Sequence, residues 1–122
     1  TTDYSDGVSI ESNSHIKITH AGKYNIQFSF QLSKTDSGTD YIDVWLKKNG
    51  SNVDWTNTRL RSTGNDDSFV AAWNFFEAFN AGEYAEIMWS QDDSIDIYYD
   101  PANVTIPHPA TPSVILTVNK IS

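Results

Sequence analysis

Sixteen carboxylates against eight lysines and arginines are the side chains of this 122-residue sequence that have the most chemistry open to them. They would serve a metal ion or acid–base catalysis. Calcium takes about six to eight oxygens, and Asp92, Asp93 and Asp96, or Asp36 with Asp40, would supply some of them. Neither set has the Asp-x-Asp-x-Asp-Gly spacing of a calcium loop, so solvated turn aspartates are the better reading. Glycoside hydrolysis needs two carboxyls about 5 to 9.5 Å apart in a groove, and the spacing of Glu77, Glu83 and Glu86 announces no such pair. His15, His20 and His108 are far apart and flank turns, unlike a closely spaced zinc pair, and with no cysteine there is neither a thiolate ligand nor a disulfide. No Gly-x-Ser-x-Gly elbow, phosphate loop or dinucleotide fingerprint occurs. The expectation is a protein that is not an enzyme, with no catalytic residues, no cofactor and no metal.

Binding chemistry is better represented. Trp45 stands at an odd position of a run whose even positions, Ile42, Val44 and Leu46, are apolar, so it falls on the solvent side of a strand. An aromatic there points to a partner surface, because aromatics are enriched in interface cores. Tyr41 shares its parity, and Met88 lies on the polar parity of a later run, so Tyr41, Trp45 and Met88 are candidate interface residues, together with one face of the closing strand. A ring folded over a neighbouring strand is the plainer alternative. Trp55, beside Asp54, Asn57 and Arg59, has the composition of a sugar contact, a ring to stack on with hydrogen-bonding groups around it. Tyr98 and Tyr99, beside Asp96 and Asp100, are a second candidate ligand contact in an exposed loop.

The elements that would carry these residues all read as strands. From Tyr24 the apolar residues Tyr24, Ile26, Phe28, Phe30 and Leu32 alternate with Asn25, Gln27, Ser29, Gln31 and Ser33, a long strand with one buried face. Ala21-Gly22 before it reads as a turn. Val8 with Ile10 and Ile16 with Ile18 make two short strands ahead of it; residues 41–48 form another, closed by the hairpin signal Asn49-Gly50. Residues 53–60 read as a weaker, polar strand. Residues 69–79 are apolar on both parities, as in a strand covered on both faces, with core packing favoured over interface for the second face. Runs at 84–89, 95–99 and 114–121 complete the set, and Pro101, Pro107, Pro109 and Pro112 make 100–112 an extended crossing. Nine or ten short strands with frequent turns and no helical spacing predict an all-β, two-sheet antiparallel sandwich.

A net charge of -8 argues against nucleic acid, whose affinity rests on basic side chains. No apolar run approaches the ~20 residues that span a bilayer, so membrane insertion is not expected. Thr1-Thr2-Asp3 opens the chain without an initiating Met or a secretory leader. The expectation is one domain over 1–122, the C-terminal head of a longer polypeptide.

Gly22-x-Tyr24-x-Ile26-x-Phe28-x-Phe30 resembles the Gly-x-Tyr-x-Phe strand of complement C1q-type and tumour-necrosis-factor-type jelly rolls, and Asn80-Ala81-Gly82-Glu83-Tyr84 resembles the turn into their next-to-last long strand. The opening Phe-rich strand of that family is missing, and Ile26 stands where Phe or Val is common. Asp43-x-Trp45-Leu46-Lys47-Lys48-Asn49-Gly50, Val70-Ala71-Ala72-Trp73-Asn74-Phe75, residues 81–89 and residues 109–115 together look like distal jelly-roll domains of tailed-bacteriophage fibres and structural proteins. That resemblance implies a homotrimeric jelly roll at the virion surface that works by assembly and by attachment to a host-surface glycan or protein. An extracellular ligand-type domain that binds a protein receptor, and a carbohydrate-binding β-sandwich module, stay open beside it.

Overall fold

The computed structural model describes residues 5–12, 14–35, 37–64, 68–91, 95–98, 102, 109–110 and 112–122. Ten strands follow in chain order: β1 (Val8–Glu11), β2 (His15–Ile18), β3 (Gly22–Lys34), β4 (Asp40–Lys48), β5 (Ser51–Asn52), β6 (Thr58–Ser62), β7 (Ser68–Phe79), β8 (Tyr84–Gln91), β9 (Ile95–Ile97) and β10 (Val114–Lys120). Among the described residues there is no helix, and so none long and apolar enough to cross a membrane.

The strands form two antiparallel sheets, an all-β sandwich. One sheet has the order β1-β2-β8-β4-β5, with β6 also on β4; the other has the order β10-β3-β7, with β9 also on β3. The chain crosses between the sheets from β2 to β3, β3 to β4, β6 to β7, β7 to β8 and β8 to β9, so consecutive strands face each other across the core. The even residues of β3 and β4, Tyr24 to Leu32 and Ile42 to Leu46, are buried there with Ile16, Ile18, Ala85, Ile95 and the odd residues Ala71, Phe75 and Phe79 of β7. Phe28 sits at the centre of an aromatic group, edge-on to Trp73 at 4.8 Å and stacked on Phe75 at 5.6 Å. β3 pairs with β7 from Gly22↔Phe79 to Ser33↔Ser68 and on its other edge with both β10 and β9, which makes it the spine of the four-stranded sheet.

Three sequence-based expectations need correction. Gly22 is not a turn residue but the first residue of β3. A Cβ there would lie 2.6 Å from the Ser122 carbonyl oxygen, which accepts from Lys23 N at 3.0 Å, so the glycine admits the closing chain. Residues 53–60 are not one strand: the edge pairs as Ser51–Asn52, leaves β4 over 53–57, and pairs again as β6. Among the described residues β7 is covered on one face only, for Val70 and Phe76 on its even parity are 58% and 67% exposed. The apolar character of both parities therefore marks an uncovered surface within the single chain. As expected, the turn Asn49-Gly50 closes a hairpin, with φ of 51° and 83° at its two central residues. Most of the crossing at 100–112 lies outside the described residues.

Candidate functional site

Two surfaces hold the side chains that the core does not use, and they lie on opposite sides of the sandwich. On the six-stranded sheet the odd residues of β4 face outward: Tyr41, Asp43, Trp45 and Lys47. Their cross-strand partners on β8 are Ser90 for Asp43, Met88 for Trp45 and Glu86 for Lys47. Trp45 and Met88 are thus side by side, with Tyr41 on the same face. The closing strand belongs to the other sheet, so its outer face looks away from Trp45 and the two cannot line one axis.

Each polar group beside Trp45 holds its neighbour. The Trp45 Nε1–H donates to Asn52 Oδ1 at 2.8 Å, which sets the orientation of the ring. Arg59 forks onto Asp43, Nε to Oδ1 and Nη2 to Oδ2, both at 3.0 Å, and Asn57 donates to Asp43 Oδ1 at 3.2 Å. The Arg59 hydrogen bonds hold the Asp43 carboxyl below its ordinary range against the opposing effect of burial, with help from Asn57. The same guanidinium lies 5.0 Å from the centre of the Tyr41 ring, a cation–π contact.

The excursion at 53–57 brings Trp55 to this surface. Val53 N donates to Leu46 O at 2.9 Å; the Thr56 hydroxyl donates to Val53 O at 2.7 Å and accepts from Leu46 N at 3.1 Å. Thr56 thereby satisfies the backbone of β4 where the edge strand leaves it. Between these anchors Trp55 is fully exposed and has a φ of 66°, a left-handed conformation that costs a non-glycine residue about 1–3 kcal/mol. Trp45 and Trp55 line one open cleft of about 580 Å³, together with Asp43, Asn52, Asp54 and Asn57. The sequence placed Trp45 with an interface and Trp55 with a sugar; the fold puts both in one site. Asn52 is the member that sequence reasoning missed, and the hairpin signal at Asn49-Gly50 carried the information, since that turn returns Asn52 opposite Lys47, beside Trp45.

Tyr98 is elsewhere. Its hydroxyl donates to Ser68 Oγ at 3.0 Å and accepts from Gln31 Nε2 at 3.3 Å, so the half-buried ring is tied to the four-stranded sheet. Tyr99, and with it Asp36, Asp92, Asp93, Asp100 and His108, lies outside the described residues. His15 stacks on Tyr84 at 4.0 Å with Glu86 3.9 Å from its Nε2, and among the described residues no three His, Asp or Glu side chains are grouped as a metal site.

The second surface is the outer face of the four-stranded sheet. Asn74 Nδ2 donates to Asn25 Oδ1 at 2.7 Å and Asn25 Nδ2 to Asn119 Oδ1 at 3.2 Å, an amide chain across β7, β3 and β10. Around it stand Gln27, Ser29, Ala72 and Thr117, with Val70, Phe76 and Ile115 exposed. Lys23 at one end and Asp96 at the other are the only charges of the described strands on this face. The chain matches no protein-family model, and comparison with curated proteins gave no match.

Proposed function

We propose that this domain is a non-catalytic attachment module that associates with further copies of itself through the outer face of the four-stranded sheet and turns the six-stranded face to its partner. The observation that carries the reading is a face uncharged between Lys23 and Asp96 along its described strands, with Val70, Phe76 and Ile115 at 58, 67 and 55% exposure, on a chain of net charge -8. Two copies of so acidic a chain repel one another, and contact costs least through a face whose described strands carry one carboxylate, Asp96, and one lysine, Lys23, at opposite ends. The β3–β7 pairing at about 3.4 Å per residue and three strands at about 4.8 Å spacing make a footprint on the order of 600 Å²; a trimer divides it between two neighbours, so the ~800 Å² per partner of a standard interface needs area from the β7 and β10 edges as well. The likeness to fibre-head jelly rolls supports three copies on one axis at a virion surface, where avidity turns weak contacts into firm attachment.

Size-exclusion chromatography with light scattering tests the assembly. The expected mass is three times the 13.7 kDa of one chain, and Phe76→Glu should reduce it to one chain with the fold intact by circular dichroism. A wild-type protein that runs as a single chain at micromolar concentration would overturn the reading.

A further inference from the structure

We infer that the cleft between Trp45 and Trp55 is a binding site for a neutral pyranose sugar. The inference concerns the opposite face from the proposed assembly surface and does not depend on it.

Trp55 gives the first argument. A fully exposed indole contributes nothing to the core, yet it is held in a left-handed conformation by a loop whose ends are pinned through Leu46, Val53 and Thr56. Strain of that kind persists where the geometry is used, and a pinned loop presents the ring at little further entropic cost. Trp45, fixed by its bond to Asn52, supplies a second ring in the same cleft. Two indoles offer apolar faces to the C–H face of a sugar ring. The carboxylates and amides of Asp43, Asn52, Asp54 and Asn57 offer acceptors and donors to its hydroxyls. At about 580 Å³ the cleft falls within the ordinary range for small-ligand sites.

The charge decides the class of sugar. Asp43 and Asp54 both line the cleft; Arg59 is forked onto Asp43, and Lys47, the next outward residue after Trp45, stands opposite Glu86. A sialylated or uronic sugar would bring its carboxylate against Asp54, with Asp43 already occupying Arg59, on a chain of net charge -8, whereas a neutral hydroxyl donates to either carboxylate. A greasy ligand would strip water from four polar side chains without replacing their hydrogen bonds.

The test titrates the protein, by calorimetry and saturation-transfer NMR, with the methyl glycosides of glucose, galactose, mannose and N-acetylglucosamine, and with sialic and glucuronic acids. At least one neutral glycoside should saturate the protein, with contacts from the C–H face of its ring, while both acids bind at least tenfold more weakly. Trp55→Gly should weaken binding by tenfold or more and leave the melting temperature equal or higher, because glycine relieves the left-handed backbone. Trp55→Phe should keep binding within a few fold. Failure of every neutral glycoside, tighter binding of the acids, or a Trp55→Gly variant with unchanged affinity would each overturn the proposal. So would a fall in oligomeric mass on Trp55→Gly, which would assign the rings to a contact between copies; loss of mass on Phe76→Glu alone bears only on the assembly.

Discussion

The two outer faces of this sandwich expose aromatic and apolar side chains in different ways. On the six-stranded sheet the rings are tethered: Trp45 by Asn52, Tyr41 beneath Arg59, and Trp55 on a loop pinned by Thr56. The charges around them answer one another, as Arg59 does Asp43. On the four-stranded sheet Val70, Phe76 and Ile115 stand among amides and small side chains with no charge between Lys23 and Asp96. Trp45, whose polar edge is already bonded, is aimed, and it suits a ligand that must meet it at one angle. An alkyl or phenyl group standing among uncharged neighbours suits a flat protein surface, where area matters more than angle. Fractional exposure alone would not separate the two.

Both faces depend on the sheets staying in register across the core, and one buried ion pair spans the corner where they join. Lys34 Nζ, at the end of β3, lies 3.4 Å from Asp40 Oδ2 at the start of β4, and the lysine side chain is fully buried. Lys34→Met would remove the lysine countercharge from the buried Asp40 carboxylate, at a cost of about 3–5 kcal/mol by urea denaturation. This is the largest effect expected of any substitution here, and it should weaken both faces together. The double variant Lys34→Met with Asp40→Leu should recover most of the loss, since a buried pair replaced by apolar groups is near neutral. A single-variant loss below about 1 kcal/mol would show that the corner is held by its loops instead.

How much of this was legible in the sequence follows from period and from pairing. Strands with one buried face, β3 and β4 above all, announce themselves by strict alternation, and Ile42, Val44 and Leu46 are buried as that alternation requires. The outward position of Trp45 was readable for the same reason. What failed was anything set by a neighbouring strand. The break at 53–57 depends on Thr56 replacing a backbone partner of β4, a contact between segments that no local pattern records. The even face of β7 looked covered because Val70 and Phe76 are apolar, and only the sheet order shows that no strand or loop of the described chain lies over them. Strand order also separates the closing strand from Trp45, which parity alone could not do.

A middle-sized effect tests whether the four-stranded face is built as well as bare. Asn25, 9% exposed, donates from Nδ2 to Asn119 and accepts at Oδ1 from Asn74. Asn25→Ala would remove both side-chain hydrogen bonds of a buried residue, at about 0.5–1.5 kcal/mol each, while the exposed amides of Asn74 and Asn119 turn to water. Asn52→Ala, on an exposed residue of the other face, frees only the Trp45 nitrogen into open solvent and should cost less than about 1 kcal/mol. If the order of the two were reversed, the amide chain would be a surface feature and the cleft the structural one.

The smallest effect separates the faces by their response to acid. Asp43 is held below its ordinary range first by its hydrogen bonds to Arg59, and Glu83 likewise by the backbone N–H of Asn80 and then by Asn49. A carboxyl whose pKa is lower folded than unfolded takes up protons on unfolding. Its contribution is therefore complete above the unfolded value and is lost as pH falls through the folded one, below about pH 4. The Asp43–Arg59 pair is exposed on the arginine side, so the loss should stay under about 1 kcal/mol. Melting curves of the wild type and Asp43→Asn should differ by a constant amount from pH 7 to 5 and converge as the pH falls to 3. The offset of Asn25→Ala should not change over the same range, because no titrating group belongs to the amide chain it breaks. Convergence of the Asn25→Ala curve as well would mean that an acid-sensitive contact reaches the four-stranded face, and the division between a charged, tethered surface and an uncharged one would fail at that point.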